Sequence, residues 1–272
     1  MKPQKLAPTP YGYVDEDKVF EVDNTMRVCI RHNKHLVVIN KFTGEIIKDF
    51  GITEPLPSNP VKLDRNGNVM SPEEYPGYTV RYDINNISSF KTTWTVPDIP
   101  EVTEPYGLFY IWNGLSYGVF QPVLSWGYHG PKYEISNWAT VDGVHYFYSS
   151  YEDVNPGEEL TGIVTFMGMV DDLWAYNTSF EGYPELDLEI MSDKEAATLV
   201  ECFESYTQDM RQVPSSLFCA MREINVTLTE GAILPDELNW YVTGEGLPTP
   251  SGKNTVIVDK SPTNGEIDFY FH

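Results

Sequence analysis

Three stretches of this chain carry residue types able to move protons, and each reads in more than one way. In AATLVECFESY, residues 196–206, helical spacing puts Ala196, Leu199, Val200 and Phe203 on one apolar face and leaves Glu201 in water. Strand spacing instead sets Glu201 on a face between Leu199 and Phe203, which makes the carboxyl a candidate for chemistry. In GVFQPVLSWG, residues 118–127, a strand places Phe120, Pro122, Leu124 and Trp126 on one face, with Gln121, Val123 and Ser125 on the other. A glutamine is costly to bury unless its amide is satisfied, so the plain reading of Gln121 is a hydrated rim residue. In PELDLEI, residues 184–190, Glu185, Asp187 and Glu189 alternate with Leu186, Leu188 and Ile190. That spacing gives one strand face three carboxyls, either as a solvated acidic face or as a catalytic set.

The elements that must position these groups are strands. The chain has 272 residues, of which 14% are aromatic, with 20 Gly and 20 Pro, and long helical periodicities are scarce. From residue 78 onward, short strand patterns recur between turn residues, from YTVRYDI to EIDFYFH. This predicts an all-β, two-sheet antiparallel sandwich of jelly-roll type over residues 78–272. Residues 1–77 read as a separate N-terminal β-rich extension, with MRVCIRH and a hairpin turning at Thr43-Gly44-Glu45, followed by a proline-punctuated connection.

Forty acidic against eighteen basic residues give a net charge of −22, which repels a phosphate backbone or an anionic membrane surface. Neither nucleic acid nor membrane is expected as a partner. No apolar run of about 18 residues occurs and the N-terminus has no apolar signal region. The five histidines are scattered, and Cys29, Cys202 and Cys219 form no CxxC pair, so no metal or other cofactor is expected. Cys202 and Cys219 would be able to pair if they lay on neighbouring strands. Glu134, Trp138, Tyr146, Tyr148 and Tyr151, with Trp126, are candidates to line a groove for peptide or sugar.

Taken in order, KTTWTVP, FYIWNGL, VFQPVLSWG, NPGEELTGIVTF and AATLVECFESY resemble the glutamic peptidases called eqolisins, over roughly residues 90–228. The resemblance aligns Gln121 with the family's catalytic glutamine and Glu201 with its catalytic glutamate. It aligns Trp112 with the tryptophan of a W-x-G strand and Trp126 with the aromatic that follows the glutamine. It implies a secreted acid endopeptidase acting on polypeptide. Water held between Gln121 and Glu201 would be deprotonated by Glu201, the Gln121 amide would steady the oxyanion, and Glu201 would return the proton to the leaving nitrogen. Contact with Leu199 and Phe203 would raise the Glu201 pKa by desolvation. The resemblance also suggests that residues 1–77 are a propeptide or an accessory segment.

PELDLEI resembles the E-[IL]-D-x-E signature of laminarinase-like glycoside hydrolases, which are also jelly rolls. That implies Glu185 as nucleophile, Asp187 as its modulator and Glu189 as acid/base. A non-catalytic, lectin-like binding module is the third expectation.

Overall fold

A computed structural model describes residues 5–31, 34–53, 63–64, 66–69, 77–115, 120–207, 209–243 and 254–272. Its N-terminal part supplies β1 (Leu6–Thr9), β2 (Gly12–Asp15), β3 (Val19–Glu21), β4 (Met26–Ile30), β5 (His35–Asn40) and β6 (Ile46–Ile52). Then come β7 (Gly77–Asp83), β8 (Ile87–Thr95), β9 (Phe109–Leu115), β10 (Phe120–Trp126), β11 (Tyr133–Thr140), β12 (Tyr146–Tyr148) and β13 (Glu152–Val154). The remainder forms β14 (Glu159–Val170), β15 (Leu173–Phe180), β16 (Leu188–Ser192), β17 (Thr198–Ser205), β18 (Phe218–Leu228), β19 (Tyr241–Thr243), β20 (Thr255–Asp259) and β21 (Gly265–Tyr270).

These strands build two large sheets. A nine-stranded sheet runs β19-β7-β17-β9-β10-β11-β12-β3, with β13 also paired to β11, and a ten-stranded sheet runs β20-β21-β18-β8-β14-β15-β16-β4-β5-β6. The inner faces of the two enclose one core, to which Phe90, Trp94, Phe109, Trp126, Phe203 and Phe269 contribute. The expected all-β sandwich is therefore present, with a difference in its edges. Residues 19–52 extend both sheets, β3 pairing with β12 and β4 with β16, and both pairings are parallel, so each sheet is mixed. The N-terminal strands are thus part of the sandwich and not a freestanding unit. Among the described strands, the β1–β2 hairpin alone pairs with no strand of either sheet.

In the middle of the nine-stranded sheet, β9, β10, β11 and β17 are buried at every position. A sheet covered on both faces needs apolar residues on both, which explains why TLVECFES shows no alternation of apolar and polar residues. The strand reading of residues 196–206 holds, and the helical one does not.

Candidate functional site

Position in this sheet is decided by register. Glu201 on β17 lies level with Asn113 on β9, and Val200 lies level with Gly114. On the other side of β9, Phe120 pairs with Leu115 and Val123 with Trp112, so Pro122 falls level with Asn113 and Gln121 with Gly114. Residues level across a sheet share a face. Glu201 and Gln121 therefore point to opposite faces, and they cannot hold one water between them. This corrects the dyad that the resemblance implied: the residues lie on nearby strands, but at positions of opposite parity.

The inner face carries Glu201 in a polar row that crosses the core. Level with it stand Asn113, Pro122 and Asn137. Thr92 Oγ1, from the ten-stranded sheet, donates to Glu201 Oε1 at 2.5 Å. Asn113 Nδ2 donates to the Gly162 carbonyl at 3.1 Å. Asn137 Nδ2 donates to the Leu186 carbonyl at 2.7 Å and its Oδ1 accepts from Thr178 at 3.0 Å. Gly162 is required by this approach, since a Cβ there would lie 2.4 Å from Asn113 Oδ1 and 2.7 Å from Pro122 Cγ. Glu201 is 0% exposed, and burial pushes its carboxyl well above the glutamate range, opposed only by the Thr92 hydrogen bond. Through Thr92 the carboxyl bridges the two sheets.

The outer face carries Gln121. Its neighbours there are Trp138 on β11 and Gly114 on β9, where a Cβ would come within 3.4 Å of Gln121 Cγ. Tyr110, Trp112, Val123, Val200 and Cys202 complete an aromatic cluster with Trp138. The Trp138 ring stacks on Tyr148 at 5.1 Å and Tyr128 stacks on Tyr151 at 4.8 Å. Gln121 is 1% exposed, and its Oε1, the Trp112 Nε1 and the Tyr110 hydroxyl are buried without hydrogen-bond partners. Three unsatisfied polar groups on one buried aromatic face are unusual in a native protein. The face is covered by the β1–β2 hairpin: Tyr11, Tyr13 and Val14 pack against the cluster, with Tyr11 5.0 Å from the Tyr146 ring and Tyr13 edge-on to Tyr206 at 6.1 Å.

The remaining sequence candidates divide in the same way. Trp112 and Trp138 join Gln121 on the outer face. Trp126 does not: it lies in the inter-sheet core against Phe109 and Tyr133, because its parity on β10 is opposite to that of Gln121. Glu134 is on the outer face but is committed to the β10–β11 turn. There its Oε1 is 3.0 Å from both His129 Nδ1 and Lys132 Nζ, and its Oε2 accepts from the His129 backbone N–H.

The glycosidase set is also dispersed. Glu185 sits in a 3₁₀ turn over Pro184–Leu186, where the proline begins a tight turn, so it shares no strand with Glu189. Glu189 is held by Arg27 at 2.9 Å and Lys41 at 2.8 Å, on the outer face of the ten-stranded sheet. Burial raises the Asp187 carboxyl, partly offset by a hydrogen bond from Asn177. Cys202 on β17 and Cys219 on β18 lie in different sheets, so the neighbouring-strand placement that pairing would need is not met, and no disulfide joins Cys29, Cys202 and Cys219.

Sequence reasoning missed Tyr11 and Tyr13, which cover the outer face, and Glu204, a buried carboxyl on that face level with Tyr110. Glu204 was legible in principle, since it has the same strand parity as Val200. Among the described residues no helix is long and apolar enough to cross a membrane, and no three His, Cys, Asp or Glu side chains converge as a metal set.

No family model matches the chain, and no curated protein does. Solved structures similar to it include scytalido-glutamic peptidase with a peptide-based transition-state analogue, 10% identical with a TM-score of 0.45, covering 72% of this chain and 98% of that one. Another structure of the same peptidase, with a transition-state analogue inhibitor, is 12% identical with a TM-score of 0.42, over 72% and 98% of the two chains. The eqolisin SCP-B in complex with the tripeptide Ala-Ile-His is 11% identical with a TM-score of 0.40, again over 72% and 98%.

Proposed function

We propose that the protein binds an extended polypeptide on the aromatic outer face of the nine-stranded sheet, and that Gln121 and Glu201 do not act together as a peptidase dyad. The observation that carries this reading is the β1–β2 hairpin. It belongs to neither sheet, yet it lies with Tyr11, Tyr13 and Val14 against Trp112, Trp138 and their neighbours, so the face already receives a polypeptide segment. Gln121 Oε1, Trp112 Nε1 and the Tyr110 hydroxyl supply unsatisfied polar groups that a ligand backbone can meet.

Hydrolysis stands as a second reading, favoured by Gln121, whose side-chain amide, with its Oε1 unpartnered, lies on the face that would hold the peptide. Its base would have to be a carboxyl of that same face, and Glu204 is the buried carboxyl on β17 there. It stands second because strand spacings of ~4.8 Å and a rise of ~3.3 Å per residue put the two Cα atoms about 16 Å apart, too far for one shared water.

The test uses the full-length chain and a Tyr11→Ala/Tyr13→Ala variant that weakens the hairpin's hold on the face. Unfolded protein and labelled peptides are added from pH 3 to 7, and both tryptophan fluorescence and cleavage are followed. The binding reading predicts saturable quenching that strengthens in the double variant, with no cleavage. Cleavage abolished by Glu204→Gln would establish the second reading. Cleavage abolished by Glu201→Gln would restore the dyad.

A further inference from the structure

At one end of the aromatic face, where β9 begins and β10 and β17 end, lies a cavity of about 640 Å³. Four tyrosines line it, Tyr13, Tyr106, Tyr128 and Tyr206, together with the carboxylates of Asp64 and Glu104. No lysine, arginine or histidine is among its described lining residues. We propose that this cavity binds an alkylammonium group, the shared chemistry of a lysine side chain and a free amine.

Tyrosine faces attract a cation through the ring quadrupole, and the attraction grows as the site loses water. Glu104 stands exposed at the rim, placed to draw a cation in by its charge. Asp64 is held in position by its own turn: Oδ1 accepts the Asn66 and Asn68 backbone N–H groups at 2.8 Å each, and Oδ2 accepts Asn68 Nδ2 at 3.0 Å. Hydrogen bonds from Asn68, then from Asn66, keep that carboxyl below the usual aspartate range, so it stays charged in mild acid. Behind the lining, the ring of Tyr110 meets Tyr206 edge-on at 6.0 Å, and the Tyr110 hydroxyl is buried with no partner. A chain of net charge −22 adds a long-range bias toward cations. The hairpin gives Pro8 and Tyr13 to the cavity wall, and the inference rests on that lining whether or not the neighbouring face takes an extended chain.

The test is a titration of the full-length protein with butylammonium chloride and with 1-butanol, its neutral counterpart, followed by NMR of the tyrosine rings. A third arm uses a short neutral peptide carrying one lysine. The expected result is saturable shifts with the ammonium, at least about tenfold weaker binding of the alcohol, and a several-fold loss of ammonium affinity in both Glu104→Gln and Tyr106→Ala. Tighter binding of the lysine peptide than of the amine would identify a polypeptide as the source, and equal binding a free amine. Equal binding of alcohol and ammonium would overturn the proposal, as would ammonium binding that neither substitution changes.

Discussion

The two faces of the nine-stranded sheet are equally buried along β9, β10 and β17, but they are covered by different partners, the second sheet on one side and the β1–β2 hairpin on the other. On the inner face Asn137 and Thr92 fasten one sheet to the other, with Glu201, its pKa raised by burial, hydrogen-bonded to Thr92 and its Oε2, like Asn113 Oδ1, left without a partner. On the outer face Gln121, Trp112 and Tyr110 each leave a polar atom unpaired beneath a hairpin that belongs to neither sheet. Side chains of the inner face thus bridge the two sheets, and those of the outer face lie under the hairpin. One step along a strand separates these roles, since a shift of one residue moves a side chain through the sheet.

The contrast can be broken first where packing is tightest. Gly162→Ala should cost about 3 kcal/mol or more, because the new Cβ would meet Asn113, Pro122 and Trp94 side chains in a core that has no room to yield. Urea unfolding measures it, and a loss below ~1 kcal/mol would mean that the sheets approach less closely here. Next, Asn137→Ala should cost about 2–4 kcal/mol, since the Leu186 carbonyl and the Thr178 hydroxyl each lose a buried partner. Gln121→Leu on the opposite face should change stability by less than ~1 kcal/mol, because Gln121 Oε1 makes no hydrogen bond to lose. Equal costs for the two would erase the distinction between the faces.

A smaller, pH-dependent effect sharpens it. The raised Glu201 pKa means that the folded protein holds a proton which the unfolded chain releases above the ordinary glutamate range. The stability contributed by neutral Glu201 is complete below that range and is lost as pH rises through its folded value. Glu201→Gln, an amide of the same shape, should match wild type near pH 4 and exceed it by about 1–3 kcal/mol near pH 7. Thermal unfolding across that interval reads the difference, and a variant less stable than wild type at pH 7 would show that the carboxylate is needed in its charged form.

Much of this arrangement was legible in the residues. β14 and β15 match the strand patterns ELTGIVTFMGMV and LWAYNTSF, and the faces of β10 follow from its alternation. Strand spacing also correctly placed Glu201 between Leu199 and Phe203. Which of the two faces looked into the core was not legible, because β17 is apolar on both. Nor was the register through β9 that sets Gln121 level with Gly114 and Glu201 level with Asn113, since pairing between distant strands leaves no local trace in either. PELDLEI failed for a local reason: the pattern was read as one strand, but Pro184 opens a turn that takes Glu185 out of it. Tyr11 and Tyr13 gave no signal because their contacts lie more than a hundred residues away in sequence.

The separation of Gln121 and Glu201 onto opposite faces is tested most directly by following the Glu201 carboxyl carbon by NMR from pH 3 to 8, with and without a saturating peptide ligand. The account predicts a carboxyl that stays protonated through pH 7 and whose signal the peptide leaves unmoved, as befits a group sealed between the sheets. A Glu201 that titrates between about pH 4 and 6 and shifts when peptide binds would place it in the groove with Gln121, and would contradict the account.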